Sequence, residues 1–169
     1  MDICEFIDSI NAGEWDFQGI DLSMTNLSSV NLVGIDLSQA NLKGIILYSS
    51  NLSDAILYGA DLREANLAAA KMIGVNLVRS NLKFADMRAA NLDTANMTQA
   101  NLQGADLSKA SLRNSILVQA NLRESWLFGA YLNKADLRKA DLTGANLTGA
   151  DLSDCILEEA ILPGAHRER

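Results

Sequence analysis

The side chains able to do chemistry on their own are few and far apart. The sequence holds two thiols, Cys4 and Cys155, and one imidazole, His166. A zinc site needs three or four such ligands within reach of one another, and a thiol nucleophile needs a neighbouring base, so three scattered residues supply neither. Carboxylates, in contrast, recur. Asp or Asn fills twenty-one of the thirty positions spaced five apart from Asp16 to Ile161. Such a ladder could hold cations or pair an acid with a base. Asp and Asn side chains also accept hydrogen bonds from nearby turn backbone, and the regularity of the pattern predicts that structural role. No catalytic residue, metal or cofactor is therefore expected, and the chain is not expected to be an enzyme.

The 169 residues, 49% hydrophobic and 21% charged, suit one folded domain rather than a disordered chain. Aromatics make up only 5% and there is one proline, so the core must be aliphatic and the turns must be made without proline. No run of apolar residues is long enough for a membrane span, and residues 1–14 carry Asp2, Glu5, Asp8 and Glu14 with no basic residue. Neither a membrane segment nor a signal peptide is expected, and a cytoplasmic location follows by default. The net charge of −7 is uneven: residues 1–42 and 140–169 are acidic, while 43–139 are mildly basic.

The strongest signal is a period of five. From Phe17 to Leu162 every fifth residue is Leu, except Phe17, Met72, Met87 and Met97; two residues before each lies Ala in eighteen of thirty cases. An α-helix would spread such residues around its surface, and a flat strand would point successive Leu to opposite faces. An extended Ala-x-Leu unit followed by a two-residue corner keeps both apolar side chains inward. Ten of the eleven glycines sit at the second corner residue, where a bend favours permissive backbone angles. Met72, Met87 and Met97 read as flexible fillers of the same inner column.

The A-(D/N)-L-x-x pattern resembles that of the pentapeptide repeat family over residues 15–162. The resemblance implies an all-β solenoid: a right-handed quadrilateral parallel β-helix of about thirty repeats, four per coil. That makes about 7.5 coils and a rod of roughly 36 Å at the ~4.8 Å strand spacing. The entry Ala12-Gly13-Glu14-Trp15-Asp16-Phe17 is similar to that of cyanobacterial members with an amino-terminal helix and no assigned function.

Residues 1–14 predict that helix. Ile3, Phe6, Ile7 and Ile10 share one face, Asp2 and Glu5 are spaced as a capping box, and Gly13 is a stop. It should cap the first coil against a floor of Trp15, Ile20, Val30, Ile35 and Ile45. Residues 163–169 form a polar tail too short to cover Leu157 and Leu162. A monomer is preferred; a tail-to-tail dimer through Ile156, Leu157, Ile161 and Leu162 is the alternative, opposed by Asp151, Asp154, Glu158 and Glu159.

Outward residues sort into four sides. The first carries Ile56, Tyr58, Val78, Ile116 and Val118. The second carries a basic stripe of Lys43, Arg63, Lys83 and Arg123, a candidate for an anionic partner. Glu64 and Glu124 lie beside it and no aromatic interleaves it, so nucleic acid is not the expected partner. The third carries Ile46 and Tyr48 near one end and Trp126 and Phe128 near the other, with Tyr131 around the next corner; the fourth is polar. Outward aromatics are scarce here, so Trp126, Phe128 and Tyr131 are the leading protein-contact candidates, followed by Ile46, Tyr48, Ile56 and Tyr58. The expected function is a non-enzymatic scaffold, regulatory by resemblance, for a protein partner. The resemblance also implies an alternative, mimicry of DNA toward a topoisomerase such as gyrase; the mildly basic middle of the chain opposes it.

Overall fold

The computed structural model describes residues 3–164. The capping-box residue Asp2 and the tail from residue 165 onward, His166 included, lie outside the described residues. One helix, α1 (Ile3–Asn11), precedes a continuous coil. Within the coil, residues twenty apart pair as parallel bridges, from Asp16↔Asp36 to Asp141↔Ile161. With a bridge every five residues, each turn of the coil has four sides.

The backbone bonding of each repeat is uniform. The inner Leu and the second corner residue donate to the following coil, as in Leu22 N–H to Asn41 C=O at 2.9 Å and Met24 N–H to Lys43 C=O at 2.9 Å. The bridge residue donates back, as in Asn41 N–H to Ile20 C=O at 2.8 Å. Each corner closes on itself, for example Ala40 N–H to Leu37 C=O at 3.1 Å. That closure, with positive φ at the third residue of the turn, is the type II arrangement. All second corner residues from Gly19 to Gly164 have φ between 54° and 80°, and twenty of them are not glycine.

The inner column is dry. Leu22 to Leu142, with Met72, Met87 and Met97 in line, are fully buried, as are most of the Ala residues beside them. Ser50, Ser80, Ser115 and Ser125 replace Ala in the interior; each hydroxyl donates to the carbonyl three residues earlier at 2.6–2.7 Å. Their burial therefore leaves no polar group unsatisfied.

Helix α1 lies on the first coil. Phe6 is fully buried and meets Phe17 edge to face, with ring centroids 4.8 Å apart, while Ile3, Ile7 and Ile10 pack against the core. Trp15 departs from expectation: it is 40% exposed, whereas Ile20 and Val30 are partly buried against the core and Ile35 and Ile45 are fully buried. Phe17, in the Leu column, is the aromatic that meets the helix. Cys4 is exposed on α1 instead of packed; Cys155 points inward, its thiol donating to Leu132 C=O at 2.9 Å, and burial raises its pKa.

Some corner glycines also seat a side chain from the preceding coil. A Cβ on Gly104 (φ +66°) would lie 2.5 Å and 2.6 Å from carbons of the Phe84 ring. Gly104→Ala should therefore cost about 1–3 kcal/mol, combining a left-handed backbone with displacement of that ring. Ala89→Gly, at φ +54°, should stay within about 1 kcal/mol of neutral because relief of strain offsets the added chain entropy. Urea midpoints of the two variants check the contrast, and equal shifts would contradict it.

Candidate functional site

The bridge position decides what each repeat shows to solvent. Of its twenty-one Asp and Asn residues, twenty accept a hydrogen bond on Oδ1 from the backbone N–H two residues on, at 2.9–3.4 Å. The carboxylate ladder is thus a turn-building device, as its regularity predicts. Nine repeats lack Asp or Asn there: Ile46, Ile56, Lys71, Ser111, Ile116, Trp126, Tyr131, Ile156 and Ile161. At Ser111 the coil compensates, because Asp93 of the preceding coil accepts from both Ser111 Oγ and Arg113 N–H. The apolar residues have no acceptor to offer, and each such repeat forgoes the bond its neighbours make.

Trp126 and Tyr131 are two such residues in consecutive repeats. They are 55% and 44% exposed, and Phe128 between them is 46% exposed. The strand register fixes their backbones, through Asp106↔Trp126↔Asn146 and Ser111↔Tyr131↔Asp151. Arg113 lies over the Tyr131 ring at 4.4 Å and donates to Ser111 Oγ at 2.6 Å, so Tyr131 is held by a cation–π contact. Ile46 and Tyr48 are exposed on the same side as Trp126 and Phe128. On side one Ile56 is exposed, while Tyr58 is half-buried and its hydroxyl accepts from Arg79 at 3.3 Å. Arg79 continues into a ladder through Gln99 and Gln119 at 2.9 and 2.8 Å.

The basic stripe is largely neutralised within the molecule. Lys43 pairs with Glu64 at 3.5 Å, Arg63 with Asp61 at 2.5 Å and Arg123 with Asp141 at 3.2 Å. Lys83 has no ion pair among the described residues; its ammonium lies 4.9 Å from the Phe84 ring. Phe84 is 56% exposed, so an aromatic does interleave the stripe, contrary to expectation. It occupies a second corner position, which points outward in every repeat; treating those positions as surface and not merely as bends would have found it. Asp61, Asp86 and Asp136 each face the arginine two residues on, an Asp-x-Arg pairing across the corner that the sequence reading missed. Among the described residues there is no pocket, no cluster of His, Cys, Asp and Glu suited to a metal ion, and no helix long and apolar enough to cross a membrane.

A family model described as pentapeptide repeats matches residues 16–44, 45–83, 60–99, 90–127 and 127–164. Among solved structures the chain is similar to a pentapeptide repeat protein from the Arabidopsis thaliana thylakoid lumen. The two are 30% identical with a TM-score of 0.56, over 59% of this chain and 70% of that one. It is also similar in fold to QnrB1, a plasmid-mediated fluoroquinolone resistance protein, at 21% identity and a TM-score of 0.62, over 89% and 84% of the two chains. A third match is Rfr23, a pentapeptide repeat protein from the cyanobacterium Cyanothece 51142, at 25% identity and a TM-score of 0.46, over 95% and 99%. No curated protein matches the sequence. The fold is accordingly a right-handed quadrilateral β-helix.

The Asp-x-Arg pairs carry a pH dependence. Hydrogen bonds from Arg63, Arg88 and Arg138 hold the carboxyls of Asp61, Asp86 and Asp136 below their ordinary pKa. Carboxyls lowered in the folded state stabilise it above their unfolded pKa of about 3.9 and lose that contribution as pH falls through the folded value. All three are partly exposed, so solvent screening keeps each contribution small. The melting temperature should fall below about pH 4. It should fall less steeply for Asp61→Asn/Asp86→Asn/Asp136→Asn, which keeps the turn bonds but removes the titrating pairs; identical acid slopes would exclude this role.

Proposed function

The chain belongs to the pentapeptide repeat family, and from that premise we propose that it is a non-enzymatic, rigid β-helical scaffold that presents one lateral surface to a protein partner in a regulatory role. The observation that carries this reading is the pair of consecutive repeats in which Trp126 and Tyr131 stand where Asp or Asn would secure the turn, with Phe128 exposed between them. A sequence that spends two turn bonds on exposed aromatic rings trades stability for surface. Large aromatics anchor protein interfaces, and a rigid backbone leaves little ordering entropy to be lost on binding.

The finer organisation belongs to the same proposal: thirty repeats from Phe17 to Leu162, closed at the amino-terminal end by α1 as a cap. We assign a monomer. A two-fold pairing of the carboxy-terminal end would bring Asp151, Asp154, Glu158 and Glu159 near their own copies, and these like charges oppose it.

Two measurements test these assignments. Affinity capture with the wild-type chain and with Trp126→Ala/Phe128→Ala should show the specific partner lost or weakened by about tenfold or more in the variant; unaltered capture would remove the lateral site. Deleting residues 1–12 should expose Phe17 and Ile20 together with unpaired coil edge, and promote concentration-dependent association in light scattering. A truncated chain that stays monomeric with unchanged melting would show that α1 is not a cap.

A further inference from the structure

We infer that the carboxy-terminal end of the rod receives an amphipathic helix of a partner protein, apolar on one face and flanked by lysine or arginine, in the way that α1 covers the amino-terminal end. This end site is separate from the lateral surface at Trp126 and Phe128 and does not rest on it.

The need for a cover shows in the inner column. Phe17, Leu22, Leu27 and Leu32 of the first coil are buried, with α1 packed against that end. Leu147, Leu152 and Leu157 of the last coil are only half-buried, and Leu162 is 39% exposed. The coil has the same four sides at both ends, so the difference is the helix. Among the described residues α1 is the only helix. A solenoid end with its apolar column uncovered calls for a cap or a partner.

A helix suits that face better than a strand. Each side of the coil makes a single bridge before the chain turns. A straight strand could therefore pair with one side only, and would leave the inner residues of the other sides open. A helix satisfies its own backbone and brings only side chains to the face. The scale is set by α1, whose nine residues span about 14 Å and bury Phe6 completely in the core.

The partner's charge follows from the rim. Residues 144–164 hold Asp151, Asp154, Glu158 and Glu159 and no lysine or arginine. In the coil beneath, Lys134, Arg138 and Lys139 are balanced by Glu124, Asp136 and Asp141, so the four acids of the last coil leave residues 124–164 at a net of −4. Arg138 is bound to Asp136 at 2.6 Å and Lys139 reaches Glu159 at 3.7 Å. Asp151, Asp154 and Glu158 make no ion pair among the described residues, although Lys134 lies one coil beneath Asp154. Second corner side chains also lean toward this end: Gln39, Phe84 and Glu124 lie against the glycine one coil on, at Gly59, Gly104 and Gly144. Asp154 and Glu159 hold the same corner position in the last coil, so the same lean sets their carboxylates around the open end. A helix with basic flanks is attracted there, whereas α1 of a second copy, carrying Glu5 and Asp8, is repelled.

The probe is a stapled helix of about 14 residues, with Ile and Phe on one face and lysine on both flanks, titrated onto the full chain. It should bind and slow hydrogen exchange over residues 145–162 while leaving residues 16–33 unchanged. Affinity should fall about tenfold or more against Asp151→Asn/Asp154→Asn/Glu158→Gln/Glu159→Gln, whose melting curve confirms folding, and likewise for a probe with glutamate in place of lysine. Trp126→Ala/Phe128→Ala should bind the probe as the wild-type chain does, so the end site and the lateral site fail separately. Binding that appears only after residues 165–169 are deleted would assign the end to the chain's own tail and overturn the inference. So would no binding, protection elsewhere, indifference to the charge variant, dependence on Trp126 and Phe128, or a wild-type chain that dimerises through the same leucines.

Discussion

Everything in this fold depends on turning the chain at every fifth residue, and the turn depends on a left-handed residue. Twenty non-glycine residues adopt positive φ at that place, a conformation that costs an ordinary side chain on the order of 1 kcal/mol or more. It persists because three sets of hydrogen bonds fix it at once: the bond closing the corner, the bond from the left-handed residue's own N–H to the following coil, and the Asp or Asn side chain bonding the first corner residue. The inner Leu column supplies the burial that the arrangement exists to achieve. No one of these suffices alone; a corner without the ladder would relax, and a ladder without corners would not close on itself.

Such uniformity makes departures informative. The inner columns stay apolar, with Met or Phe in place of Leu and Ile or Val in place of Ala, and each buried Ser there is tied back to a carbonyl. The bridge position tolerates more, since losing the side-chain bond leaves two other constraints in place. The sequence uses that tolerance at Ile46, Trp126 and Tyr131, which are exposed, instead of spending it on neutral polar residues. Selection for stability alone has no use for an exposed Trp where Asn would hold the turn. The basic stripe does not carry the same weight, because most of its charges are met by neighbouring carboxylates.

Periodicity made the fold legible. Five residues per repeat excluded helix and flat strand, and the Ala and Leu columns identified the inner face residue by residue. What stayed hidden depends on coil-to-coil neighbours and on side-chain reach. Trp15 falls in an inward register yet is partly exposed, while Phe6 and Phe17 pack edge to face at the rod's entry. Phe84 is placed over Gly104 by a neighbour twenty residues away, and the Asp-x-Arg pairs depend on arginine folding back across a corner. The aromatic candidates were readable because their register alone sets them outward; how Arg113 restrains Tyr131 was not.

A solenoid in which each coil touches only its neighbours has little means of carrying a signal along its length. Binding at Trp126 would have to travel through coils whose interiors are packed and whose backbones are hydrogen-bonded on both edges. No alternative packing is built into such a column, and allosteric coupling needs two discrete states. The mechanism this architecture favours is static: side chains held at intervals set by the strand spacing. The register that holds Ile46 and Trp126 in one column, through Asn66, Asp86 and Asp106, fixes such intervals along the rod.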